Sequence, residues 1–245
     1  MEKVMAIVKV SGSFDDLRSP HIRFLEEASK GGEVLVQLWS DQVFRSIEGR
    51  EPKFPEAERF YFLDSIRYVD RVEIVSNRGD KDAIAVDTSD PKFKQFPRSV
   101  KVDTASSSGR KKVIVTGCYD WLHTGHVRFF EEVSEYGDLY AVVGHDANIE
   151  LLKGKGHPQF PEDERRYVAG ALKFVKQALV SSGHGWMDAA PEIDLIKPDI
   201  YAVNEDGDKP EKQAFCQEHG IEYLVLKRLP KAGLPARNST NLRGF

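Results

Sequence analysis

Two histidines three residues apart, His123 and His126, flank Thr124 and Gly125 in the stretch GCYDWLHTGHVRFF at residues 117–130. The residues before them are apolar in the manner of a strand, and those after them have helical spacing. The pair therefore sits where a strand gives way to a helix. Such a junction binds anions, because the free N–H groups of the first turn and the helix dipole point outward. His123 and His126 could each offer a ring N–H to phosphate oxygens, and Gly125 lets a phosphate approach without a Cβ in its way. The guest this predicts is a nucleoside triphosphate. Two other readings compete: a metal-binding pair, for which no clear third ligand stands nearby, and ordinary surface histidines.

The chain repeats this text. At an offset of 105 residues Gly12 falls on Gly117, Asp15 on Asp120 and His21 on His126, and HIRFLEEAS falls on HVRFFEEVS. With one residue inserted, KFPEAERFY at 53–61 falls on QFPEDERRY at 159–167. An internal duplication follows. Between the copies lies a stretch rich in Ser, Pro and charge, whose TASSSGR portion reads as a linker. The expected division is a degenerate domain over 1–103, a linker over 104–111 and a catalytic domain over 112–245. AIAVDTSDPKFKQF in the first copy echoes IYAVNEDGDKPEKQAF in the second, so the first is expected to be truncated.

In the second copy KKVIVTG, DLYAVVG, QALVS, DIYAVN and IEYLVLK read as strands. HVRFFEEVSEYG, PEDERRYVAGALKFV, APEIDLIK and EKQAFCQEHG read as helices. This alternation predicts an α/β fold: two tandem Rossmann-like parallel-sheet domains, with ligands at the carboxyl ends of the strands.

Composition sets the class. The chain has 245 residues, 40% hydrophobic and 30% charged, with a formal charge of −4. No apolar run approaches the ~20 residues of a membrane span. The start MEKVMAIVKV is unlike a signal peptide, and Cys118 and Cys216 fit free thiols, so a cytoplasmic protein is expected. The weakly acidic balance gives no general support for nucleic-acid binding.

GCYDWLHTGH resembles the signature of the cytidylyltransferase-like nucleotidyltransferases, whose HxGH motif grips nucleotide phosphates. KGK at 153–155 looks like the family's lysine-bearing loop, PEDERRYV like its ER-containing helix start, and RNSTNLR at 237–243 like its C-terminal segment. The resemblance implies that the phosphate of a small phosphorylated alcohol or sugar attacks the α-phosphorus of CTP, or alternatively of ATP. Pyrophosphate then leaves with Mg²⁺ assisting. It further implies that His123 and His126 stabilise the triphosphate, that Lys153 and Lys155 grip the acceptor phosphate and bridging oxygens, and that Arg165 adds positive charge. Gly117, Cys118, Tyr119, Asp120 and Gly125 form the nucleotide loop, with Asp120 also a candidate beside the metal. On the same resemblance Ser239 and Thr240 would face the outer phosphates, Asn204, Asp206 and Asp208 are candidates to read the base or acceptor but could equally form a plain turn before the helix, and Arg228 or Arg237 would take the family's arginine role.

Each residue has a plainer reading. Lys153 and Lys155 can be solvated, Arg165 can pair with Glu162, Asp120 can cap its own loop, and Ser239 and Thr240 can cap a helix. Cys118 can be a small buried filler.

In the first copy Arg18 replaces the first histidine, Pro20 the glycine, and EGR replaces KGK. That half is expected not to catalyse. The tandem arrangement is similar to that of ethanolamine-phosphate cytidylyltransferases, though here the first copy has decayed, and related single domains include glycerol-3-phosphate cytidylyltransferases. The twin would form an intrachain pseudo-dimer, with homo-oligomers open. The other readings are an adenylyltransferase acting on a phosphorylated sugar or vitamin precursor, and a nucleotide-binding regulatory module without turnover.

Overall fold

The computed structural model describes residues 6–97, 101–103 and 108–242, without the side chains of Thr240 and Asn241. The chain divides into two compact units, Met1–Phe96 and Pro97–Gly244.

The first unit runs β1 (Ile7–Gly12), α1 (Ser19–Ser29), β2 (Glu33–Trp39), α2 (Asp41–Glu48), α3 (Glu56–Asp64), β3 (Arg71–Val75) and β4 (Ile84–Ala85), then a single 3-10 turn at Pro91–Lys94. Its strands are parallel in the order β3-β2-β1-β4.

The second unit runs β5 (Lys112–Gly117), α4 (Thr124–Tyr136), β6 (Asp138–Val143), α5 (Asp146–Lys153), α6 (Glu162–Gly170), β7 (Val175–Val180), α7 (Ala190–Ile196), β8 (Ile200–Asn204), α8 (Pro210–His219) and β9 (Glu222–Leu226). Short 3-10 turns lie at Gly185–Met187, Glu205–Gly207 and Ser239–Leu242. Its strands are parallel in the order β7-β6-β5-β8-β9. The first four strands of each unit thus follow one order, and among the described residues the first copy has no counterpart of the last strand. Where the second has the ten-residue α8, the first has, among the described residues, the turn at Pro91–Lys94.

β5 is apolar without alternation because both faces of its sheet are covered: Val113, Ile114 and Val115 are all fully buried. On one face α7 and α8 supply Ile193, Ile196 and Cys216 against Ile114, Tyr140, Val142 and Tyr201. The residue after α4 is glycine because a Cβ at Gly137 would lie 2.1 Å from the Lys111 carbonyl oxygen, and Gly32 meets Ala6 in the same way.

Three details depart from the sequence expectation. α5 stands where no helix is predicted, capped by the His145 side chain, whose Nδ1 accepts the Asn148 N–H at 3.2 Å. The helix predicted through Val175 stops at Gly170, and Val175 opens β7. Residues 101–103, assigned from sequence to the first domain, are tied to the second unit: the Asp103 N–H donates to Gln177 Oε1, and Gln177 Nε2 donates to the Lys101 carbonyl, both at 2.9 Å. Residues 104–107 of the expected linker lie outside the described residues. Among the described residues, no helix is long and apolar enough to cross a membrane.

Candidate functional site

The strand order of the second unit reverses between β5 and β8, and a cleft opens at the carboxyl ends of open α/β sheets at that point. The cleft here encloses 450 Å³. Gly117, Cys118, Tyr119 and Asp120 line it from the end of β5, and Gly125 and His126 from the start of α4. Lys153 at the end of α5, Asn204 at the end of β8 and Asp206 just after it, Arg228 and Ser239 complete the predicted part of the wall.

Backbone geometry fixes both histidines. His123 is the N-cap of α4, and its Nδ1 accepts the Gly125 N–H at 3.1 Å. His126 Nδ1 accepts the His123 N–H at 3.4 Å, closing a capping box. A ring nitrogen that accepts carries no proton, so each neutral imidazole holds its proton on Nε2 as an outward donor. Burial pushes His123 down to about 2, with His126, Arg228 and Arg237 adding to the effect. Burial, then Arg228 and Lys153, pushes His126 down to about 3. The rings lie 4.1 Å apart between centroids, His126 at the cleft and His123 behind it. His123 Nε2 is buried without a hydrogen-bond partner.

Gly125 does something the sequence did not reveal. A Cβ there would lie 2.9 Å from His123 Cε1 and 3.0 Å from its Nδ1, so the glycine makes room for the imidazole itself.

The predicted residues take up different places, on the wall and away from it. Arg165, 1% exposed, spends its guanidinium on the chain: Nε donates to the Phe160 carbonyl at 2.8 Å, Nη1 to Cys118 at 2.6 Å, and Nη2 to Gly144 at 2.8 Å and to Asp146 at 2.7 Å. Lys155 is exposed on the loop after α5. Asp120 is buried, with Oδ1 accepting the N–H groups of Gln159 and Phe160 at 2.9 Å and Oδ2 unpartnered. Of the two candidate arginines, Arg228 lines the cleft, paired with Asp206, while its Nη2 donates to the Arg237 carbonyl at 3.0 Å. The Asp208 carboxylate accepts from Tyr223 and Gln213 at 2.9 and 2.8 Å instead of facing the cleft. Ser239 opens the last turn. Thr240 shares that turn, its side chain outside the described residues.

Among the wall residues that escaped the sequence reading are Trp186, Lys209 and Lys212. Lys209 Nζ sits 5.2 Å from the Trp186 ring centroid, and Lys212 is buried with Nζ 5.7 Å from the Tyr201 ring. Burial lowers the Lys212 pKa. A signal was present, since cations at a helix N-terminus oppose its dipole and call for a compensating anion. The wall thus carries Lys153, Lys209, Lys212 and Arg228 against Asp120 and an Asp206 already paired with Arg228. The charge of the wall is therefore predominantly positive. Among the described residues no group of three or more His, Cys, Asp or Glu could hold a metal ion.

The family model described as cytidylyltransferase-like matches residues 114–230. A FAD synthase of Ferroglobus placidus is 41% identical over 127 residues, covering 51% of this chain and 72% of that protein. A FAD synthase of Aciduliprofundum boonei is 37% identical over 132 residues, covering 53% of this chain and 85% of that one. The bifunctional protein HldE of Aliarcobacter butzleri is 31% identical over 120 residues, covering 49% of this chain and 24% of its own length. Among solved structures, a lipopolysaccharide core biosynthesis protein from Thermoplasma volcanium is 27% identical and covers 49% of this chain and 98% of that one, with a TM-score of 0.41.

Proposed function

Since the chain belongs to the cytidylyltransferase-like family of nucleotidyltransferases, we propose that its second unit transfers AMP from ATP to a phosphorylated acceptor, with flavin mononucleotide the first acceptor to test. The sequence alone put CTP first. The similarity to FAD synthases, at 41% and 37% identity, turns the reading to ATP, because the product named for those relatives carries an adenylyl group.

The carrying observation is the cleft itself: two imidazoles held neutral as Nε2–H donors beside four cations. In the reaction an acceptor phosphate oxygen bonds to the α-phosphorus, the bond to the β-phosphate bridging oxygen breaks, and pyrophosphate leaves with the electron pair. No covalent enzyme intermediate is needed, so positioning and charge stabilisation carry the catalysis. His126 would donate to the α-phosphate, with His123 behind it. Lys153, Lys212 and Arg228 would neutralise the charge growing on the leaving pyrophosphate, and the Ser239 hydroxyl would donate to the outer phosphates. Bound Mg²⁺ would supply further charge neutralisation, held mainly by the substrate's own phosphates, with Asp120 the candidate side chain beside it. Trp186, 47% exposed at the cleft, offers a flat apolar face to a ring system such as a flavin.

Pyrophosphate release with Mg²⁺ tests the reading, with ATP or CTP supplied against flavin mononucleotide and a panel of phosphorylated sugars and alcohols. Release with ATP alone, and a flavin dinucleotide as product, is expected. Turnover with CTP and a phosphorylated alcohol would overturn the choice of nucleotide. Nucleotide binding without release on any acceptor would favour a regulatory module.

A further inference from the structure

The duplicated chain carries the same loop carboxylate twice, in two states. Asp15 and Asp120 occupy matching positions and are 5% and 7% exposed. Their Oδ1 atoms do the same work: Asp15 accepts the Phe54 N–H at 3.1 Å, and Asp120 accepts the N–H of Phe160, the matching residue, at 2.9 Å. The other oxygens differ. Arg50 Nη1 donates to Asp15 Oδ2 at 3.0 Å, whereas Asp120 Oδ2, buried at the cleft wall, has no hydrogen-bond partner. A buried carboxylate oxygen without a donor is costly to maintain.

The residue matching Arg50 is Lys155. EGR at 48–50 and KGK at 153–155 close α2 and α5 with the same bond, the Gly49 N–H donating to the Arg45 carbonyl and the Gly154 N–H to the Glu150 carbonyl, but Gly49 has ψ 16° and Gly154 ψ 173°. The paths then part. The second copy has one more residue before its phenylalanine and a second glycine, Gly156, and both Gly154 and Gly156 have φ +88° with open space where a Cβ would stand. Lys155, between them, is exposed.

We propose that Lys155 is a positioning residue: when a nucleotide enters the cleft, the loop after α5 folds inward and the Lys155 ammonium pairs with Asp120 Oδ2, as Arg50 already does with Asp15. The disabled copy thus preserves the closed arrangement that the working copy adopts only around substrate. Closure neutralises a carboxylate that would otherwise repel the incoming phosphates, and it fixes the loop that begins at Lys153. The proposal rests on nucleotide binding in this cleft.

Zero-length cross-linking with a water-soluble carbodiimide reads the pair directly. The reagent takes up the water lost as the Lys155 amine and the Asp120 carboxylate form an amide, and mass spectrometry locates the joined peptides. The full chain is treated with and without Mg·ATP, with binding followed by calorimetry. An R50K variant, which places an amine beside Asp15, is the internal control and is expected to cross-link without nucleotide. The Lys155–Asp120 link is expected to rise several-fold with ATP. ATP bound with no such link, while the control links, overturns the proposal and leaves the proposed function standing. Failure of ATP to bind while the control links overturns both. In kinetics, K155M and D120N are each expected to lower kcat/KM about tenfold, and together no further, because coupled partners are not additive. Additive losses, or a D120N effect reversed by raised Mg²⁺, would make Lys155 a direct phosphate contact or Asp120 a metal ligand, and either result overturns it.

Discussion

At the scale of single residues, His123 and His126 bind the backbone first and any ligand second. Each uses Nδ1 to accept an N–H of the turn, and that choice leaves Nε2–H as the donor. Ring ¹⁵N spectra are therefore expected to show the Nε2–H tautomer for both and no titration between pH 8 and pH 5. A midpoint near the ordinary histidine value would contradict the assignment. The same burial has a consequence for stability. An imidazole that stays neutral when folded but takes a proton when unfolded removes stability as pH falls below about 6.5, by about 1.4 kcal/mol per pH unit until its folded pKa is reached. H123N keeps a capping oxygen where Nδ1 stood, so its urea midpoint is expected to fall less than the parent's between pH 7 and pH 5. Equal falls would place the acid sensitivity elsewhere. The spacing of the pair was legible in the sequence because a strand-to-helix junction leaves a composition mark. The job of Gly125 was not, since it depends on where the His123 ring lies. It also accounts for a linked change in the first copy: with Arg18 in place of the histidine, Pro20 can stand in place of the glycine.

At the scale of elements, both units tie their loops with the same buried arginine. Arg59 donates to the carbonyls of Phe54, Ser13 and Trp39 and to Asp41. Arg165 makes the matching bonds to Phe160, Cys118, Gly144 and Asp146. A bond set kept in the copy expected to be inert belongs to the fold. R165K and R59K are accordingly expected to destabilise their units by about 2–4 kcal/mol, measured by urea unfolding. A stable R165K that loses turnover would return this residue to the chemistry. The alternation of strands and helices was readable because buried parallel strands and amphipathic helices differ in period. α5 escaped because it is only eight residues long and takes its cap from a histidine. The covering of the first sheet also escaped. Where the second sheet presents Ile114 and Val142 to helices, the first has Lys9 and Gln37, which bind Asp80 through its carboxylate and its N–H, both at 2.8 Å. A polar segment thus does the work of a lost helix, and only strand register makes that visible.

At the scale of the whole molecule, the chain is one α/β plan written twice, with four strands and then five among the described residues. The duplication was legible from a fixed offset in the sequence. The cleft was legible in its glycines, His126, Lys153 and the segment around Ser239, while Lys212 and Trp186 reach it through packing of α8 and the turn after β7. On the proposed function, AMP transfer belongs to the second copy and runs through its histidine donors. The measurement that tests it most directly is the rate of pyrophosphate release from ATP by H126A and by H21A, matching substitutions in the two copies, side by side with the parent. H126A is expected to lose 10² to 10³-fold, since removing one donor to a transition-state oxyanion costs about 2.7–4 kcal/mol. H21A is expected to stay within about twofold, as a change outside the reacting site should. Equal losses from the two would contradict the account.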